Sequence, residues 1–220
     1  MQQAGHTIRI VVAEPMQFIL ESICSMINQQ PQMTVVGMAS NSRELRHIVE
    51  LTQPDLVVTE IEYDDRSGVD SIKDIKRYHP RTKIVIFASR LCTAYLGQAL
   101  KIGVHGFLLK SEPPKLFIDS LDKVLRGEQC FSETIRKCLD YSTDSRSWEL
   151  NEEFQLEPLT PRQLEVLRQI AEGHSVKEIA RNLHLSEKSV DSHKYRIMHK
   201  LKIHDRVKLT RYALKEGLVD

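Results

Sequence analysis

Five short runs rich in β-branched and apolar residues recur through the first half of the chain at intervals of 22–28 residues: IRIVVA from Ile8, MTVVGMA from Met33, DLVVTEI from Asp55, KIVIFAS from Lys83 and GFLLK from Gly106. Strands this short and this far apart leave room for one crossover helix between each pair, and a chain that repeats strand and helix builds a parallel sheet. The intervening segments keep helical spacing, as at Ile72, Ile75 and Lys76 ahead of His79-Pro80, where proline stops the helix. The three central runs are nearly continuous in apolar residues, as strands covered on both faces must be. The pattern predicts a doubly wound (βα)5 sheet ending near Arg126, within an α/β domain spanning 1–128.

With 220 residues, the chain has room for a second domain, since one domain takes about 100–150 residues. No apolar run approaches the roughly 20 residues of a membrane helix. The opening MQQAGHTIRI meets the first strand without a secretory apolar stretch, so a cytoplasmic protein is expected. Cys24, Cys92, Cys130 and Cys138 lack metal-ligand spacing and are too sparse for a disulfide framework; they read as small buried hydrophobes, and no metal or cofactor is expected. Gly-rich phosphate loops and the G-x-S-x-G and H-E-x-x-H motifs are missing, so no enzymatic activity is expected.

Charge divides the chain. The net charge of +1 conceals a balance of +5 from Pro158 to Asp220, with five of the nine histidines, against −4 over the rest. A basic C-terminal third suits a polyanion-binding module. Between the halves, 129–157 reads as a connecting segment: a short helix begun by Ser132 with Glu133 in its first turn, then a stretch from Asp140 to Pro158 with six acidic residues and one basic. That composition is that of a solvated linker, with Trp148 and Phe154 resting on a domain surface.

From Leu159 the capping chemistry takes over, in an all-α domain spanning 158–220. Thr160, Pro161 and Gln163 make an N-cap, a first-turn proline and a capping-box partner, with Leu159 and Leu164 as the hydrophobic staple. Gly173 ends that helix. Ser175 and Glu178 form a second capping box, Ser186 caps a third helix, and a fourth runs from Asp205 to about Glu216 before Gly217. The two middle helices, 175–183 and 186–200, are joined by so few residues that they form a helix-turn-helix, whose second helix enters the major groove. Ser186 sits where a helix N-terminus favours a phosphate.

The stretch LTPRQLEVLRQIAEGHSVKEIARNLHLSEKSVDSHKYRIMHKLKI resembles the LuxR-type helix-turn-helix of the NarL/FixJ response regulators, in its LTPR-x-x-EVL opening, AEG, KEIA, L-x-LSEK-x-V, SH and RIM-x-KL. The resemblance implies sequence-specific binding of double-stranded DNA by a homodimer. It puts Asp191, Ser192 and Tyr195 at base-reading positions and Lys177, Lys188, Lys194, Arg196 and Lys200 near the backbone, with Ser186 and Ser189 at the start of the recognition helix. At Asp191 the family often carries Lys or Arg; a carboxylate there repels phosphate and accepts from a cytosine amino group. Leu209, Tyr212 and Ala213 of the last helix and the faces of the first domain are the expected dimer surfaces.

Residues 8–126 resemble the receiver domain of the same family, which transfers a phosphoryl group to an aspartate beside Mg²⁺. Against that pattern Glu14 keeps one acidic residue, Pro15 replaces the second, Glu60 takes the acceptor position, Ala88 stands where a hydroxyl grips the phosphoryl group, and Lys110 is intact. A glutamate carboxylate reaches about 1.5 Å beyond an aspartate's, one carbon–carbon bond. A degenerate receiver that has abandoned phosphotransfer and holds a protein or small-molecule partner is therefore expected. Two alternatives stay open: a conventional phospho-activated regulator using a loop acid such as Asp64 or Asp65, and an adaptor whose helical domain contributes little.

Overall fold

A computed structural model describes residues 7–63, 68–151 and 159–219, so Asp64, Asp65 and Phe154 lie outside the described residues. Strands β1 (Ile8–Ala13), β2 (Met33–Ala39), β3 (Leu56–Thr59), β4 (Lys83–Ala88) and β5 (Gly106–Leu109) alternate with helices α1 (Gln17–Asn28), α2 (Ser42–Thr52), α3 (Gly68–Tyr78), α4 (Thr93–Ile102) and α5 (Pro114–Leu125). All strand pairs of this sheet are parallel. Both β3 and β5 are buried along their whole length, as continuous apolar runs require, whereas β2 on the edge is half-exposed. One face of the sheet, with Ile10, Val12, Leu56, Val58, Val85, Phe87 and Leu108, packs on Leu20, Ile23 and Ile27 of α1 and Phe117, Leu121 and Val124 of α5. The Phe87 and Phe117 rings stack at 4.4 Å. Lys83 bridges from the foot of β4 to the end of α5, donating to the Val124 and Leu125 carbonyls at 2.6 and 2.8 Å, the orphan acceptors of a helix C-terminus.

Five strands were expected in this sheet, and six are found in it among the described residues. Strand β6 (Cys130–Phe131) adds to the β5 edge, giving the order β2-β1-β3-β4-β5-β6. Two residues carry no periodicity, so the pattern along the chain could not announce them. Gly106 is what admits the strand: a Cβ there would meet the Cys130 carbonyl oxygen at 3.0 Å and a Val85 methyl at 3.3 Å. Ser132 does precede a short helix, α6 (Glu133–Arg136), but its hydroxyl makes no cap; it accepts from Leu109 N at 2.8 Å and ties the new edge to β5.

The chain clusters into two compact units, the larger holding the sheet and the smaller holding the C-terminal helices. Part of the expected linker is ordered within the smaller unit, as an antiparallel hairpin of β7 (Leu139–Ser142) and β8 (Ser147–Leu150). Tyr141 pairs with Trp148 across it, edge to face at 5.3 Å. Acidic composition concealed a period-two alternation of Leu139 and Tyr141 against Trp148 and Leu150.

Four helices follow: α7 (Pro161–Ala171), α8 (Val176–Asn182), α9 (Glu187–Leu201) and α10 (Arg206–Lys215). All four starts are capped by a side chain, with full capping boxes at Thr160/Gln163 and Ser175/Glu178 and single caps from Ser186 and Asp205. Each such cap is worth about 1 kcal/mol, which matters for α8, too short to persist on propensity alone. Leu159, Leu164, Leu167, Ile170, Ile179, Val190, Ile197, Leu209, Ala213 and Leu218 are buried, with α7 packed on α9 and α10, and α8 on α9. Leu209 and Ala213, expected on a dimer surface, point inward instead; Val207 and Leu214 are the exposed apolar residues of α10.

Candidate receiver crevice and nucleic-acid interface

In the sheet order, β1 and β3 are neighbours whose connections run to opposite sides, which opens a crevice at their C-terminal ends. Glu14, Glu60, Ala88 and Lys110 meet there because the ladder continues past the strands: Glu14 N donates to Ala39 O, Glu60 N to Ala13 O and Lys110 N to Ala88 O, each at 2.9 Å. The sequence-expected residues are thus brought together, except Pro15, which is exposed and offers no ligand atom from its side chain.

Their side chains close on one another. The Lys110 ammonium donates to Glu14 Oε2 at 2.5 Å, to Glu60 Oε2 at 2.7 Å and to Ser89 Oγ at 3.2 Å, which uses all three of its protons. Glu60 Oε2 also accepts from Ser89 N and Ser89 Oγ, both at 3.1 Å, and Glu60 Oε1 accepts from Ile61 N at 2.7 Å. Glu14 Oε1 accepts from Met16 N at 3.0 Å. Glu14 and Glu60 are 1% and 5% exposed, so both charges are buried, and both are paired and hydrogen-bonded as burial demands. Beside them Arg90 pairs with Glu62 at 3.2 Å.

Receivers hold Mg²⁺ at this position, and the residues present do not fit it. A divalent cation wants about six oxygens in an open octahedron. Here the Lys110 ammonium itself stands between the two carboxylates, Pro15 occupies the position where the receiver resemblance implies a second acidic ligand, and among the described residues no cluster of three metal-ligating side chains exists. Ser89, one position past Ala88, supplies a hydroxyl, but directs it at Glu60. That contact follows from the reach of the longer Glu60 side chain.

On the helical unit, Val190 and Ile197 turn one side of α9 into the core. At about 100° per residue, the opposite side carries Lys188, Ser192, Tyr195 and His199, flanked by Asp191 and Arg196. All six are exposed, Tyr195 at 71%. Lys177 is exposed on α8, while Ser189, Lys194 and Lys200 are half-buried on the flanks of α9, away from the centre of that face. The Ser186 hydroxyl is spent on the cap, 3.1 Å from Ser189 N and 2.8 Å from Ser189 Oγ. His199 joins this face through its helical spacing from Lys188, Ser192 and Tyr195. Inside the same helix His193 is held below its usual pKa, first by burial and then by Arg162 and Arg196. The exposed face is rich in hydrogen-bond donors and carries the Lys188 and Arg196 cations, the chemistry that phosphates and major-groove base edges accept.

Two family descriptions match the chain, the response regulator receiver domain over residues 10–122 and the bacterial regulatory proteins of the luxR family over residues 157–213. The uncharacterized transcriptional regulatory protein YxjL of Bacillus subtilis is 32% identical over 96% of this chain and 97% of its own length. The response regulator VraR of Staphylococcus aureus is 29% identical over 97% and 99%. Among solved structures, RcsB from Salmonella typhimurium superposes with a TM-score of 0.74 at 24% identity, covering 96% of this chain and 98% of that one. RcsB bound to the promoter rprA with the phosphomimetic BeF3− gives 0.70 at 25% identity, covering 94% and 98%. The protein belongs to the response regulators that join a receiver domain to a LuxR-type helix-turn-helix, and is a DNA-binding transcriptional regulator.

Proposed function

We propose that this regulator binds specific double-stranded sites as a homodimer and does so without phosphorylation of its receiver. The observation that carries the reading is the Lys110 ammonium, whose protons are all committed to Glu14, Glu60 and Ser89 inside the crevice. In phosphotransfer nearly all the work is positioning and charge neutralisation, and here the neutralising lysine is already occupied by a fixed carboxylate. Glu60 also takes the Ser89 amide and hydroxyl, so its permanent charge ties the loop after β4 to the crevice in place of a phosphoryl group.

In this reading residues 1–128 form a non-enzymatic platform in a cytoplasmic protein, for pairing with a second copy and for a protein or small-molecule partner. Residues 129–157 connect it to the DNA-binding domain, 158–220. Lys177, Lys188 and Arg196 meet phosphates, while Asp191, Ser192 and Tyr195 meet base edges, with His199 on the same face. Lys194, Lys200 and Ser189 assist from the flanks, and Ser186 presents the helix N-terminus. One recognition helix reads too few base pairs for useful specificity, which is why such proteins pair two half-sites.

The test is footprinting of untreated protein on duplexes that it enriches from a random library. Two protected half-sites are expected with no phosphodonor present, and Glu60→Gln, which removes the charge while keeping the shape, weakens occupancy. Binding that requires a phosphodonor, or protection of a single half-site at saturation, contradicts the proposal.

A further inference from the structure

Helix α7 packs chiefly on α9 and α10, yet a side chain from its first turn reaches the connection between α8 and α9. Arg162 is held by Glu165 Oε2 at 2.5 Å, and its other terminal nitrogen donates to the Leu183 carbonyl. Leu183 is the C-cap of α8, the first residue of the turn. The other groups of that turn look to α8 itself: Leu183 N donates to Ile179 O at 2.9 Å, and Leu185 N donates to Ala180 O at 2.8 Å. His184 between them takes φ +52, the left-handed conformation that reverses the chain. The Leu183 carbonyl, at the negative end of the α8 dipole, is instead met by a guanidinium from another helix. Glu165 is 6% exposed, so the anchor is a buried carboxylate and its geometry is fixed. On the inward flank of α9, burial and then the Arg162 charge hold His193 below its usual pKa.

We propose that Arg162 is a positioning residue for DNA recognition: anchored on Glu165, it grips the Leu183 carbonyl and thereby fixes the angle at which α9 leaves the turn. It does this without touching DNA. The proposal rests on the reading of α9 as the groove helix. Base-edge contacts tolerate little misplacement, whereas phosphate contacts from flexible lysines adjust. Loss of the clamp therefore costs discrimination more than overall binding.

The experiment uses the full chain, with Arg162→Met to keep the stem and remove the donors, and Arg162→Lys to keep the charge without the planar fork. Affinities are measured for a duplex enriched by the wild-type protein and for an unrelated duplex, across a salt series, at a temperature where circular dichroism shows each variant folded. Arg162→Met is expected to weaken the enriched duplex about tenfold or more, in the range of one mismatched base pair. The unrelated duplex should change less than about threefold, with the salt slope kept, because no phosphate contact is lost. Arg162→Lys recovers part of the discrimination. Wild-type discrimination in Arg162→Met overturns the proposal, as does a salt slope lower by about one unit, which marks a phosphate contact. If Arg162→Met does not fold, Arg162→Lys decides: reduced discrimination supports the clamp, and wild-type discrimination refutes it. Failure of the α9 reading itself shows separately, as an unchanged salt slope in Lys188→Ala.

Discussion

In the receiver crevice Glu14, Glu60 and Lys110 are withdrawn from solvent and answer one another, while on α9 Lys188, Asp191, Ser192, Tyr195, Arg196 and His199 stand out in it. Both sets are polar, and their energetics run in opposite directions. A buried charge set satisfied from within is committed to structure: bringing in a phosphoryl group or a metal means first breaking bonds already made. An exposed set costs nothing to keep open and gains when counterions are released to a polyanion. The contrast teaches that a motif position identifies a site only together with what its side chain is already bonded to.

The sharpest way to break the comparison is to remove the shared cation. Lys110→Met leaves two buried carboxylates without their ammonium and should destabilise the sheet unit by about 3–5 kcal/mol, read by urea denaturation. The matching change on the open face, Lys188→Met, should stay within about 0.5 kcal/mol. Equal effects would dissolve the distinction.

A second effect is smaller and depends on pH. His105 Nδ1 accepts from Ile84 N at 3.0 Å, and burial, then Lys76 and Lys83, push its pKa from 6.5 down to about 4. The folded state favours the neutral ring. Its contribution is therefore complete above the unfolded value of 6.5 and lost progressively as pH falls from there to about 4. Because the ring is only half-buried, the loss should be about 1–2 kcal/mol. Denaturation of wild type and His105→Gln at pH 7 and pH 4.5 checks this: the wild type should lose its advantage at the lower pH. A constant difference would contradict it.

The smallest effect sharpens the open side. Lys188→Ala and Arg196→Ala should each lower the slope of log affinity against log salt by about one unit, with little change in sequence preference. Ser192→Ala and Tyr195→Ala should shift preference among duplexes at a kept slope. Fluorescence-anisotropy titrations across a salt series separate the two classes.

How much of this was legible beforehand depended on whether a signal had a period or a cap. The five long strands and the four helices followed from recurring apolar runs and capping chemistry, and the grouping of Glu14, Glu60 and Lys110 from the resemblance to receiver domains. Strand β6 has too few residues for any period, and the β7–β8 hairpin hid its alternation beneath acidic composition. On α10 apolar residues occur all round, so the inward phase of Leu209 and Ala213 was decided by packing on α7. The Arg162 contact was illegible for a different reason: its acceptor is a backbone carbonyl, which any residue at 183 supplies.

The central claim, that the receiver's charge cluster is closed to phosphoryl transfer and DNA binding proceeds without it, is tested most directly by intact mass spectrometry of the wild-type protein with a small phosphodonor and Mg²⁺, paired with a DNA titration of the same samples. No mass gain and superimposable titrations with and without the donor are expected. A Mg²⁺-dependent gain of one phosphoryl group, with tighter DNA binding in the modified sample, would contradict the account.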